Sequence, residues 1–280
     1  MNTVSVATSP TNWHTTSDSV THTKFRAATR AIRAAASLAI PTGLRPRKFR
    51  RWWLALGLAA GLPALMAYRS AENPAAGGPG RLAIARLQYE GGGDWYANPS
   101  SLPNLIAAIA ERTDLPIEHA EARVRLTDSS LFDYPFLHMT GHGDVKFSEA
   151  EVLRLREYLE RGGFLHADDN YGLDETFRRE MKRVFPDRPL VEVPYSHPVY
   201  HIVYDFPNGP PKVHEHDGKP AKGYGIFIGS RLAVYYTFSA DLGNGWEDVG
   251  TYADPPALHE AALRMGVNLF TYAVTSRVEP

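Results

Sequence analysis

FLHMTGHGD, running from Phe136 to Asp144, is followed by SEAEVLRLREYLERGG from Ser148 to Gly163 and FLHADDNYG from Phe164 to Gly172. Phe136 to Thr140 is an apolar run suited to a buried strand, and Gly141-His142-Gly143-Asp144 turns the chain. Ser148 with Glu151 three residues on forms a capping box, which satisfies orphan amides at a helix start. Val152, Leu155 and Leu159 give that helix a core stripe, and Gly162-Gly163 stop it. Phe164 to Ala167 is then a second buried strand that ends in Asp168-Asp169-Asn170-Tyr171. Strand, helix and strand at this spacing make a right-handed βαβ unit and a parallel sheet.

Outward from this unit the pattern continues. Leu82 to Tyr89 alternates as a strand and ends at Gly91-Gly92-Gly93. Pro103 to Ala110 presents Leu105, Ile106 and Ile109 on one helix face, and Arg123 to Leu126 reads as a short strand. Downstream, Asp174 is expected to cap a helix bearing Phe177, Met181 and Val184. After Pro186 the chain reads as strands at Leu190 to Val193, Tyr200 to Phe206, Tyr224 to Ile228 and Leu232 to Phe238. The last two are joined by Gly229-Ser230, which suits a tight hairpin turn. Pro255-Pro256 opens a closing helix with Leu258, Ala262, Met265 and Leu269 on one side. The expected fold is α/β: a doubly wound, flavodoxin-like parallel sheet with an antiparallel β-hairpin extension, over residues 81–275.

The 280-residue chain has a formal net charge of -1 that hides a strong asymmetry. Ten basic residues lie between Lys24 and Arg69, and Asp18 is the one acid before Glu72. Setting these aside from 30 basic and 31 acidic residues leaves 20 against 30 in the remainder. A domain this acidic is a poor footprint for phosphate backbones, so nucleic acid is excluded as a partner. With 0 cysteines, disulfides, thiolate metal sites and a cysteine nucleophile are all excluded.

Residues 1–51 read as a basic leader. Residues 52–68, WWLALGLAAGLPALMAY, form an apolar run at the lower edge of what spans a bilayer. Positive charge before it (Arg45 to Arg51) holds that end in the cytoplasm and places everything after Tyr68 outside. The run is either a signal-peptide core with a cleavage site at Leu65-Met66-Ala67, or a retained anchor. Residues 69–80 form a linker. The expected location is the cell envelope, in the periplasm or anchored in the inner membrane.

In a doubly wound sheet, ligands bind beyond the carboxyl ends of the strands. Two loops qualify. Gly141, His142 and Gly143 offer amides and an imidazole, while Asp168, Asp169, Asn170 and Tyr171 place two carboxylates and an amide at one strand end. Asp169 and His142 are the candidate catalytic pair. His214 and His216 flank Glu215, and in an extended chain His-x-His projects both rings to one side, the geometry two ligands of a divalent metal need. Asp168 or Asp169 is expected to complete that site. The alternative for this stretch is a solvated turn at Asp217-Gly218. Ser196, His197 and His201 are assigned to an edge strand with packed histidines, and Asp241 to Asp248 to an acidic surface loop.

LAIARLQY from Leu82, YPFLHMTGHG from Tyr134, GGFLHADDN from Gly162 and DLGNGWED from Asp241 together resemble a bacterial family known as domain of unknown function 4159. The resemblance runs from about Arg81 to about Thr275. It implies a class I glutamine amidotransferase-like fold and a frequent N-terminal membrane segment or signal. The place comparable to the amidotransferase nucleophile is held by Asp168-Asp169, so glutaminase chemistry by that route is excluded. Two functions are expected from these readings. One is non-catalytic binding of a small ligand or an envelope protein at the strand-end crevice. The alternative is a metal-assisted hydrolase using Asp168 or Asp169 with His142, His214 and His216.

Overall fold

The computed structural model describes residues 82–276. The expected apolar segment at 52–68 lies outside the described residues, and no helix among the described residues is long and apolar enough to cross a membrane. Seven strands form one sheet, β1 (Ile84–Gln88), β2 (Ala122–Arg125), β3 (Phe136–Gly141), β4 (Phe164–Asp169), β5 (Val191–Glu192), β6 (Lys222–Ile228) and β7 (Arg231–Phe238). Their order is β2-β1-β3-β4-β7-β6-β5. The first five in that order run parallel and the β6 and β5 pairings are antiparallel. This is the flavodoxin-like order with a hairpin extension.

Helices cover both faces. α1 (Ser101–Arg112) and the closing α5 (Pro256–Thr275) lie on one side, and α2 (Glu149–Glu160) and α3 (Asp174–Val184) on the other. Strand alternation divides the core accordingly. Leu137, Met139, Leu165 and Ala167 pack with the α2 and α3 side chains, whereas Phe136 and Phe164 pack with those of α1 and α5. The capping box at α2 is present, with Ser148 and Glu151 each accepting from the other's backbone amide.

Three local expectations are corrected. Tyr200 to Phe206 is not a strand: a 3-10 turn at Pro198–Tyr200, set by the fixed φ of proline and by His197 accepting from the Val199 amide, bends the chain. His197 still packs on Phe227 and Tyr272, while His201 binds Asp205 and the Tyr195 carbonyl at the surface. Asp174 is the first helical residue of α3 rather than its cap. Leu173 is the N-cap and has no side-chain cap, and Asp169 instead holds the loop before the helix, its Oδ1 accepting the amides of Tyr171 and Leu173 at 3.0 Å each. Finally, Asp241 to Glu247 is buried, not a surface loop, and contains a short helix α4 (Leu242–Gly245).

Candidate functional site

The pairing of β3 with β4 lays three side-chain layers on the α1 and α5 face. Phe136 stacks on Phe164, His138 lies opposite His166, and Thr140 lies opposite Asp168. The layers turn from apolar to polar toward the carboxyl ends, where the parallel strands place their loops together. His138 and His166 are fully buried, with their Nδ1 atoms 3.1 Å apart. His166 Nε2 reaches Thr237 Oγ1 at 3.1 Å, and Thr237 donates to Asp168 Oδ1. With Asp168 ionised, one tautomer satisfies this chain: His166 donates through Nε2 to Thr237 and accepts from His138 at Nδ1. His138 Nε2, which has no partner, is then a bare lone pair rather than an orphan N–H. Burial holds His138 well below its ordinary pKa and lowers His166 to about 3, so both are neutral.

Asp168 also accepts the amides of Leu242 and Gly243 at the start of α4, at 3.2 and 2.6 Å. Burial, followed by the charge of Asp241, nonetheless pushes it up to about 7. Asp169 is raised by burial, and its Oδ2 accepts from Tyr236 at 3.1 Å. Both aspartates are therefore committed to holding loops. Asn170 joins them, accepting from Thr140 at 3.1 Å.

The groups that remain free to act lie above this layer. Strand order reverses at β1 and β3, since β1 leads to α1 on one face and β3 to α2 on the other. At that switch point Asp94, just past β1, accepts the backbone amide of His142 through Oδ1, and its Oδ2 sits 3.1 Å from His142 Nδ1. His142 is half-exposed, so its other ring nitrogen is available. A side chain at Gly141, whose φ is +145°, would place Cβ 2.3 Å from the Tyr89 hydroxyl, which is why this exit requires glycine.

His214 and His216 meet a different carboxylate from the expected one. His216 Nε2 lies 2.5 Å from Asp241 Oδ2, and His214 Nδ1 lies 3.6 Å from the same oxygen. One ligand atom from each of the three falls within 4.8 Å of the others, so the group could hold a metal ion. Asp241 thus stands where Asp168 or Asp169 was expected. Asp241 is 1% exposed and its Oδ1 has no hydrogen-bond partner. Burial pushes it up to about 7, offset in part by the nearby His142. Tyr171 stacks on His216 with ring centres 5.0 Å apart.

Backbone strain concentrates here. Asn98, Tyr171, Ser239 and Asp241 have φ of 55°, 93°, 52° and 60°. Aspartate and asparagine tolerate this region, but tyrosine does so rarely, and such strain persists where the surroundings over-determine it, commonly at ligand sites.

Asp94 and Asp241 were not among the residues the sequence pointed to. The signal for Asp241 was its place, three residues past a strand of the parallel set, on the edge where His142 and Asp168 were sought. Residues 83–274 match the profile of a family described as Domain of unknown function (DUF4159). Comparison with curated proteins gives no match. The profile spans most of the chain and every element that builds this site, and the chain belongs to the DUF4159 family.

Proposed function

We propose that the domain binds a divalent transition-metal ion through His214, His216 and Asp241 and uses it to hydrolyse a small ligand in the strand-end crevice. The observation that carries this reading is the convergence of two imidazoles and a buried carboxylate with an unpartnered oxygen. Two His and one carboxylate with open positions suit zinc, manganese or iron rather than calcium. An ion there would supply Lewis acidity and a water nucleophile near neutral pH. Because Asp168 and Asp169 are occupied by internal donors, the proton-accepting role falls to His142. Asp94 fixes its Nδ1 and leaves Nε2 free, the orientation a general base needs.

The test is metal content and calorimetric titration of the full chain with zinc and manganese. Stoichiometric binding, lost in His216→Ala, is expected, and a protein that neither carries nor takes up either metal would overturn the reading. Metal-dependent turnover of an activated ester or phosphodiester, lost in His142→Ala, separates hydrolysis from the other reading. That reading is non-catalytic ligand binding, and the internal engagement of Asp168, Asp169 and Asn170 favours it.

We also infer that the domain lies in the cell envelope, outside the cytoplasm. Support comes from the basic run Arg45 to Arg51 ahead of apolar residues 52–68. Intact-mass measurement of envelope protein is expected to show either a chain cut after Ala67 or a full-length membrane species. A full-length soluble cytoplasmic protein would be incompatible with export.

A further inference from the structure

A cavity of about 160 Å³ opens between α4 and the start of α5, with Asn244, Glu247, Asp248, Tyr252, Asp254 and Pro256 in its wall. Acids predominate in its lining, with His259 the one basic-type side chain beside them. Glu260 at the rim pairs with Arg112 and Arg264, but Glu247, Asp248 and Asp254 have no basic partner among the described residues.

Acidic residues alone do not make a site, but one almost fully buried side chain here carries a buried acceptor without a donor, and a second carries a carboxylate oxygen with no internal bond. Asn244 is 5% exposed and its Oδ1 has no partner. Glu247, also 5% exposed, receives the amides of Ser100 and Ser101, both at 2.9 Å and both on Oε1. That leaves Oε2 unbonded among the described residues. A buried acceptor without a donor is costly, and a cavity wall that sets the Asn244 oxygen among the carboxylates of Glu247, Asp248 and Asp254 fits a ligand rich in donors. The acids do not draw together as the His214 group does, which is the one metal-type cluster among the described residues. A compact ion therefore fits less well than a group with several spread N–H donors.

We propose that this cavity binds the primary alkylammonium group of a ligand, its N–H donors meeting Glu247, Asn244 and Asp254 and its aliphatic chain lying along Pro256 and Val249. The cavity shares a wall with the metal group. Asn244 Nδ2 lies 3.0 Å from His214 Nδ1, and the Tyr252 and His214 ring centres are 5.4 Å apart. A ligand anchored by its ammonium end thus extends toward His214 and Asp241, a step that rests on the metal reading, whereas the cavity's own preference does not.

The test is calorimetric titration of the full-length, chelator-stripped protein with 1,4-diaminobutane and, separately, with butyrate. The diamine is expected to bind one to one and butyrate not at all, and Asp254→Asn is expected to weaken the diamine about fivefold or more. Glu247→Gln keeps an acceptor for the Ser100 and Ser101 amides, and its thermal melt reports whether its loss of binding reflects folding. Absence of diamine binding, equal binding of butyrate, unchanged affinity in Asp254→Asn, or displacement of the diamine by stoichiometric calcium would each overturn the proposal. Because the titration is metal-free, its outcome is independent of whether His214, His216 and Asp241 hold an ion.

Discussion

Replacing Asp241 with asparagine is expected to abolish zinc or manganese binding while making the metal-free protein more stable at pH 8. Asp241 is nearly inaccessible, has an unpartnered oxygen, and lies close enough to Asp168 to raise that residue's pKa. Its own pKa is raised to about 7. A carboxylate raised above its unfolded value keeps its proton longer in the native state. Its contribution to stability is therefore full below about pH 4 and is lost as the pH climbs through 7. Raising a carboxyl from the ordinary aspartate value to about 7 corresponds to roughly 4 kcal/mol at full ionisation. Asparagine has the same shape, tolerates φ of +60°, and carries no charge. Weakening of the His216 contact offsets part of the gain, so the expected increase is about 1–3 kcal/mol at pH 8, shrinking toward zero near pH 4. Metal affinity should fall at least about 100-fold, because two imidazoles without the carboxylate make an incomplete site. Urea denaturation at the two pH values and calorimetric metal titration measure the two effects. A variant that binds zinc as the parent does, or that is less stable at pH 8, would show that Asp241 is a structural residue and not a metal ligand.

The fold was legible because its signals are local. Ser148 with Glu151, Gly162-Gly163, the apolar runs at Phe136 and Phe164 and the Gly229-Ser230 turn each act over a few residues, and the parallel sheet follows from their spacing. The strand after Tyr200 failed because a β-favouring composition was overridden by Pro198 and a histidine cap. The site was legible by half. The loops at His142 and Asp168 and the pair His214 and His216 could be placed on the ligand-binding edge by general topology. Which carboxylate faces the histidines could not, because Asp168, Asp169 and Asp241 all sit at or just past strand ends, and a one-dimensional reading offers the first two and not the third. The distinction is set by tertiary hydrogen bonds: Thr237 and the α4 amides draw Asp168 inward, the loop amides draw Asp169, and Asp241 alone is left toward His214 and His216. The segment that carries Asp241 was misread for a related reason. Acid-rich, glycine-rich DLGNGWED has the composition of a surface loop, yet its amides are spent on Asp168 and its tryptophan on the core.

That tryptophan supplies the second large effect: Trp246→Ala is expected to destabilise the domain by about 3–5 kcal/mol. Trp246 is fully buried, its ring centre lying 5.3 Å from that of His138 and 5.6 Å from that of His166. Its Nε1 donates to the Ala262 carbonyl at 2.7 Å. The close approach of α5 is made possible by Gly266, where a Cβ would lie 3.0 Å from the ring. The Trp246 backbone amide closes α4 onto the Leu242 carbonyl, so the ring anchors the segment whose Leu242 and Gly243 amides hold Asp168. Trp246→Phe keeps most of the packing and loses the indole donor, and should cost about 1–2 kcal/mol with metal affinity little changed. Val249→Ala, three residues on and 85% exposed, should stay within about 0.5 kcal/mol. Chemical denaturation of the three variants gives the ordering. If Trp246→Ala cost as little as Val249→Ala, the segment from Asp241 would be peripheral, and a metal group that depends on its placement would lose its scaffold. The ordering therefore tests the site through a measurement that involves neither metal nor ligand.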